Sequence, residues 1–133
     1  MEETTPGSGM STGLTMTKTY RGRCHCGAVR FAFRSEEIAK GLRCNCSICI
    51  RKGAVMSTRY FTPEEFQELE GLEALSVYRW GDRDVNHYFC KTCGVYPFHD
   101  GPAKPGHYRV NLGCVEGLDP LALEISVIDG RSF

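Results

Sequence analysis

Apolar and polar residues alternate along much of this chain, and a period of two predicts β-strands. In residues 28–34, the apolar Val29, Phe31 and Phe33 would share one face, while the arginines between them would lie on the other. The same pattern predicts strands over residues 54–60, 74–80, 85–89, 107–112 and 121–127, with a hairpin turn at residues 81–84. So many short strands favour a mainly β domain with antiparallel sheets.

One segment has the signals of a helix start. Thr62 is a candidate N-cap, Pro63 suits the first helical position, and Glu65 at the third completes a capping box. The predicted helix continues through Phe66 and ends near Gly71. The expected fold is therefore antiparallel β with one short helix.

Composition limits the classes of function. Residues 1–16 are rich in Thr, Gly and Ser and predict a flexible tail, and residues 17–133 have the length of one domain. Lys plus Arg and Asp plus Glu both number 16, so we expect no nucleic-acid partner. With no long apolar run and no basic start before one, we expect no membrane partner and a cytoplasmic location.

The unusual feature is cysteine. Seven of the eight cysteines fall into three tight groups: Cys24 and Cys26; Cys44, Cys46 and Cys49; Cys90 and Cys93. Such spacing lets neighbouring thiolates bind one metal ion, and in a reducing compartment it favours metal binding over a disulfide framework. Gly27 and Gly94 follow two of the groups and would let tight turns close. Sulfur ligands favour zinc, with an iron–sulfur cluster as the main competitor.

Ligand counting suggests two ions. Four thiolates would enclose a structural zinc, and three would leave a position open, as at catalytic zinc. The favoured division is Cys24, Cys26, Cys90 and Cys93 against Cys44, Cys46 and Cys49. Spacing alone leaves alternatives, because Cys24 and Cys26 could share an ion with Cys44 and Cys46. The group of three could also take a fourth ligand from His25, His99 or Cys114.

With these motifs, the sequence resembles the glutathione-dependent formaldehyde-activating enzymes, which share a domain with centromere protein V. The resemblance covers residues 20–130. It is carried by the segments GRCHCGAVRF at 22–31, CNCSIC at 44–49, HYFCKTCGVYPFH at 87–99 and VNLGC at 110–114.

The resemblance implies a β-tent-like fold and two zinc ions divided in the favoured way, with the three-cysteine ion catalytic. It also implies a carbon–sulfur lyase that interconverts S-hydroxymethylglutathione with glutathione and formaldehyde. The family commonly has two basic residues directly after the third cysteine of the middle group, whereas this chain has Ile50, Arg51 and Lys52. A role for these cations in docking an anionic ligand is one interpretation, and simple solvation is the other.

For proton transfer, His99 and Tyr96 are the candidate residues, because they follow the third cysteine group closely. Two other functions remain open at this point. The chain could be a non-catalytic zinc-binding interaction module, or a lyase that acts on a different thiol adduct. The sequence does not indicate the oligomeric state.

Overall fold

The computed structural model describes residues 16–79, 85–101 and 106–130, and it arranges these residues in three small sheets. The predicted turn at residues 81–84 and most of the predicted tail lie outside these ranges. The strands are β1 (Thr17–Arg23), β2 (Arg30–Glu36), β3 (Lys40–Cys44), β4 (Glu68–Glu70), β5 (Leu75–Tyr78), β6 (Asn86–Cys90), β7 (Phe98–Asp100), β8 (Tyr108–Val110) and β9 (Glu124–Ile128). The α-helix of the described residues is α1 (Ser47–Lys52), and short 3₁₀ turns cover Leu72–Ala74, Leu112–Cys114 and Pro120–Ala122. The predicted class, mainly β with one short helix, is confirmed.

The first sheet has the order β1-β2-β4, and all of its pairs are antiparallel. Val29, Phe31 and Phe33 are 0%, 2% and 0% exposed, so the predicted apolar face is buried. Tyr20 lies opposite Phe33 in the β1–β2 register. The turn between β1 and β2 carries the first cysteine group, so the hairpin fixes where those thiols lie.

The second sheet is antiparallel in the order β5-β6-β7-β8. Its strands β5, β6 and β8 coincide with three predicted segments, each within a few residues of the predicted ends. His87 on β6 pairs with His99 on β7, and Phe98 pairs with Val110 on β8. The loop from β6 to β7 carries the third cysteine group.

The third sheet departs from the antiparallel expectation, because β3 and β9 run parallel. The predicted strand at residues 121–127 also began too early, since residues 120–122 form a 3₁₀ turn. Its apolar alternation does not mark a buried face: Leu121, Ile125 and Val127 are 89%, 37% and 69% exposed. Alternation predicted the strand here but not which side the protein covers.

The helix predicted from Thr62 to Gly71 was wrong. The capping box forms as predicted, with Thr62 N donating to Glu65 Oε1 at 3.0 Å and Glu65 N donating to Thr62 Oγ1 at 3.2 Å. After this single turn, Gln67 N donates to Ala32 O at 2.9 Å and residues 68–70 add a strand to β2. Pairing with the open edge of the sheet gives the backbone N–H and C=O groups of this segment the hydrogen bonds that further helical turns would have provided.

Residues 54–60, predicted as a strand, form no regular strand. Met56 makes isolated bridges to Leu42 and to Asn111, so this segment ties β3 to the end of β8. Within the ranges given above, no helix is long and apolar enough to cross a lipid bilayer.

The core is aromatic and lies under the first two sheets. The rings of Phe31, Phe33, Phe61, Phe66 and Phe98 are buried and contact one another at centroid distances between 4.5 and 6.2 Å. Each such side chain contributes roughly 1.5–3 kcal/mol by leaving water. This cluster fixes the two hairpins whose turns carry the cysteines.

Candidate metal centres and the adjoining cavity

The structure brings Cys24, Cys26, Cys90 and Cys93 together, with all four sulfurs within 4.8 Å of one another. Cys26 Sγ lies 3.7 Å from Cys24 Sγ and 3.7 Å from Cys90 Sγ. Zn–S bonds of about 2.3 Å place the sulfurs of a tetrahedron about 3.8 Å apart, so these spacings fit an ion bound between the thiolates. All eight cysteines are free of disulfides.

Two tight turns build this group. The turn after β1 is closed by Cys24 N donating to Val29 O at 3.0 Å, and the turn after β6 by Cys90 N donating to Val95 O at 2.9 Å. Gly27 and Gly94 have φ angles of 84° and 78°, which other residues rarely adopt. These two glycines therefore allow the turns that the sequence predicted.

The turns also aim backbone donors at the sulfurs. Val29 N–H donates to Cys24 Sγ and Thr92 N–H to Cys90 Sγ, each at 3.4 Å. A hydrogen bond with the backbone of Val95 is the main influence that lowers the pKa of Cys93 to about 6. The pKa of Cys90 is lowered as well, first by a backbone hydrogen bond from Cys93, so these two thiols are prepared for the negative charge that a bound cation requires of its ligands.

The second group contains Cys44, Cys46 and Cys49, whose sulfurs also lie within 4.8 Å of one another. Cys44 ends β3, Cys46 caps the N-terminus of α1, and Cys49 lies in its first turn. The helix therefore bends the chain so that a six-residue segment offers three sulfurs. The Cys46 N–H donates to Cys44 Sγ at 3.5 Å.

The segment after β9 closes one side of this group. A Cβ atom on Gly130 would lie 2.4 Å from Cys44 Sγ, so only glycine fits there. Asn45 N donates to Ile128 O at 3.2 Å, and Asn45 Nδ2 donates to Asp129 Oδ1 at 3.1 Å. The parallel β3–β9 pair thus packs backbone against the thiols.

Among the described residues, no further Cys, His, Asp or Glu offers a ligand atom within 4.8 Å of all three sulfurs. Cys24 and Cys26 join Cys90 and Cys93 and not Cys44 and Cys46. His25, His99 and Cys114, considered as fourth ligands, are outside both groups. The donor sets suit soft divalent ions such as zinc, and they differ in that one has four protein sulfurs and the other three.

A cavity of about 200 Å³ opens beside the group of three. Besides these cysteines, its polar lining comprises Tyr60, His87, His99 and Arg109, and its apolar lining includes Leu42, Met56 and Ile128. Nδ1 of His99 and Nε of Arg109 are buried without a hydrogen-bond partner in the described structure. Unpaired polar atoms around a small cavity next to three thiols are the pattern of a reaction site.

The comparisons with known proteins agree with this geometry. Residues 19–127 match the family described as glutathione-dependent formaldehyde-activating enzyme. The chain belongs to this family. A crystal structure of a Rhodobacter sphaeroides protein, Northeast Structural Genomics target RhR83, is similar at 33% identity and a TM-score of 0.68. That similarity covers 80% of this chain and 99% of the other chain.

In this member of the formaldehyde-activating family, the two candidate proton carriers lie in different places. His99 lines the cavity, whereas Tyr96 is not among the lining residues and its hydroxyl is buried without a partner. Burial lowers the pKa of His99 to about 3, so its imidazole is neutral at pH 7. Burial also raises the pKa of Tyr96 above its ordinary value.

Two functional candidates were missed or misjudged from the sequence. His87 was not singled out, yet it lines the cavity and pairs across the sheet with His99. Lys52, considered as a solvated or anion-docking cation, turns inward: its Nζ lies 2.8 Å from His87 Nδ1 and 3.5 Å from the centre of the Tyr96 ring. If the chain is folded as a hairpin about the third cysteine group, His87 lies opposite His99. This relation was the sequence signal that could have identified His87 as a site residue.

Proposed function

We propose that this chain is a zinc-dependent carbon–sulfur lyase of the formaldehyde-activating type, which forms and breaks S-hydroxymethylglutathione. The observation that carries the proposal is the contrast between the cysteine groups. One has four sulfurs, and the other has three and borders the cavity with the buried histidines. The family to which the chain belongs supplies glutathione and formaldehyde as the expected substrates.

Two zinc ions would be held by Cys24, Cys26, Cys90 and Cys93 and by Cys44, Cys46 and Cys49. Bound zinc lowers the pKa of a coordinated thiol and so supplies thiolate at neutral pH. At the first site four protein sulfurs complete the shell, which suits a structural role. At the second, three protein sulfurs would leave one ligand position for the thiol of the substrate.

The chain's own residues would orient the reactants. In adduct formation, the new bond joins sulfur to the aldehyde carbon, the carbonyl pair moves to oxygen, and the proton lost by the thiol ends on that oxygen. We assign His99 to this oxygen, because it lines the cavity and is neutral, so it can donate or accept a proton. In the reverse direction, the same imidazole passes the hydroxyl proton to the departing sulfur as the carbon–sulfur bond breaks, so it is neutral before and after the step.

The cavity size bears on the substrate. Typical small-molecule pockets hold about 300–1,000 Å³, and this one holds about 200 Å³. We propose that it admits the thiol end of glutathione and the one-carbon unit, with the remainder of the tripeptide outside. The apolar side chains of Leu42, Met56 and Ile128 would exclude water from the reacting carbon.

The first test uses cysteine variants. Cys46→Ser removes one sulfur from the group of three and should abolish turnover of glutathione and formaldehyde while keeping most of the thermal stability. Cys24→Ser breaks the group of four and should unfold the domain, because structural zinc contributes directly to folding. Cys114→Ser is the matched control: Cys114 is buried but belongs to neither group, so activity should stay within about two-fold of the unmodified protein.

The assay is run beside a panel of other thiol adducts, with the metal content measured by mass spectrometry. Turnover of another adduct in place of the glutathione adduct would correct the substrate while keeping the lyase. No turnover of any adduct by zinc-loaded protein would favour the non-catalytic interaction module. Equal loss of stability in Cys46→Ser and Cys24→Ser would contradict the division into catalytic and structural sites.

A further inference from the structure

The amino group of Lys52 contacts two aromatic rings, one of which lines the cavity. Its Nζ is 2.8 Å from His87 Nδ1 and 3.5 Å from the centre of the Tyr96 ring. Lys52 itself does not line the cavity, whereas His87 does. Helix α1 explains the placement, because Lys52 follows Cys49 by three residues and so lies on the same side of the helix.

The chemistry of the pair decides where the imidazole proton lies. An ammonium group has three donors and no acceptor, so Lys52 donates and His87 Nδ1 accepts. A neutral imidazole that accepts at Nδ1 carries its proton on Nε2. The Tyr96 ring also contacts the ammonium, through a cation–π interaction.

The second nitrogen of His87 is open to the cavity. His87 is 6% exposed, and the hydrogen bond to Lys52 is the one its ring makes within the described residues. Lys52 occupies Nδ1, so Nε2 is the ring nitrogen left to face the cavity that His87 lines.

We infer that Lys52 is a positioning residue that fixes the tautomer of His87, and that His87 is a second catalytic residue, whose Nε2–H donates to the oxygen of the thiol adduct. This inference rests on the proposed function for the identity of that oxygen. When the sulfur–carbon bond forms and the carbonyl pair moves to oxygen, the Nε2–H stabilises the developing negative charge. His87 neither gains nor loses a proton overall, so the step needs no additional reactant.

The pair also gives Tyr96 a role other than proton transfer. Its hydroxyl is buried, whereas its ring contacts the Lys52 ammonium and lies parallel to the His99 ring, 6.2 Å away between centroids. Tyr96 thus neighbours both the cation and the other cavity histidine. We therefore place it with Lys52, as support for the imidazoles.

The direct test is nitrogen NMR of the zinc-loaded full chain labelled with 15N-histidine. We expect His87 in the unmodified protein to be protonated on Nε2 at pH 7, and Lys52→Met to give a mixture of both tautomers. Arg51→Met is the matched control, since Arg51 is the neighbouring basic residue of α1 but is exposed and donates to Ser47 O. It should leave the His87 signals unchanged.

Kinetics give the second readout. Removing an outer partner of a site residue typically costs 10–100-fold, so Lys52→Met should lower kcat by roughly that factor with little change in KM. His87→Gln keeps an N–H donor near the position of Nε2 and should retain more activity than His87→Phe. In the His87→Gln background, Lys52→Met should lower kcat by a smaller factor than it does in the unmodified protein.

The outcomes separate the inference from the proposed function. His87 protonated on Nδ1, or a tautomer unchanged by Lys52→Met, would overturn the inference whether or not the protein turns over any adduct. Unmodified protein that shows the Nε2–H tautomer but no lyase activity would refute the proposed function and with it the catalytic role of His87. If Lys52→Met fails to fold, the comparison of His87→Gln with His87→Phe tests the inference instead. Equal activity in these two variants would contradict the role of His87 as a hydrogen-bond donor to the adduct oxygen.

Discussion

At the residue scale, the site depends on imidazoles that stay neutral because they are buried. Burial lowers the pKa of His99 to about 3, and burial together with the charge of Lys52 lowers that of His87 to about 4. Desolvation penalises the charged form of a histidine, and nearby cations add to the penalty. Both rings are therefore donors and acceptors at pH 7, and not additional cations beside the thiols.

This state has a consequence for stability. His99 in the unfolded chain takes up a proton near its ordinary pKa of about 6.5, whereas in the folded protein it does so only at about 3. Acid therefore favours the unfolded chain as pH falls through this interval, and from pH 7 to pH 5 His99 should cost about 2 kcal/mol. His99→Gln should remove that part of the acid sensitivity, which urea unfolding of zinc-loaded protein at several pH values would measure.

A matched control is Tyr60→Phe. The Tyr60 ring contacts the His99 ring edge-on at 5.5 Å, so this variant alters the same packing without removing an imidazole. Its stability should follow the pH dependence of the unmodified protein. If the free energy of unfolding of His99→Gln changed with pH in the same way as that of the unmodified protein and of Tyr60→Phe, the neutral, buried state of His99 would be contradicted.

The residue scale also shows what the sequence could and could not predict. The spacing of the cysteines and the glycines after Cys26 and Cys93 was enough to anticipate the tight turns, because these are local features of the chain. The inward turn of Lys52 was not predictable, because its partners His87 and Tyr96 are distant in sequence. Contacts that depend on tertiary packing leave no spacing signal.

At the element scale, competition between local and long-range hydrogen bonds explains the main error. Thr62 and Glu65 form the predicted capping box, yet the chain then pairs with β2 instead of continuing as a helix. The local signal identified a helical turn correctly but carried no information on the free edge of β2. The parallel β3–β9 pair was missed for a similar reason, since alternation predicts a strand and not its partner.

Gly71 tests how tightly the segment before β5 packs on the first cysteine turn. Its φ is 86°, and an added Cβ would lie 1.9 Å from Ala28 O. Gly71→Ala should lower the free energy of unfolding by at least ~2 kcal/mol, from backbone strain together with the displacement of the turn. Urea unfolding measures this directly.

Gly117→Ala is the matched control. Gly117 has a φ of 76°, but nothing lies within 4 Å of an added Cβ, so only the backbone strain of about 1 kcal/mol should remain. Equal losses in the free energy of unfolding of Gly71→Ala and Gly117→Ala would show that the close approach of residue 71 to Ala28 O adds no energetic cost.

At the scale of the whole molecule, the two cysteine groups have different structural settings. The group of four joins the turns of two hairpins that come from different sheets, so it links distant parts of a small domain. The group of three comes from a single short segment and borders the cavity. A domain of this size has a limited core, and a metal ion bound between the hairpins would add to its stability.

We propose that a zinc ion held by the group of three would take the substrate's sulfur as its fourth ligand. Zinc K-edge absorption of the fully loaded protein, in buffer with a phosphine reductant and no added thiol, counts the sulfurs around zinc. With one site of four protein sulfurs and one of three, we expect a mean of about 3.5 sulfurs per zinc, rising to about 4 when glutathione is added. A mean of four before glutathione, or no rise after it, would contradict the claim.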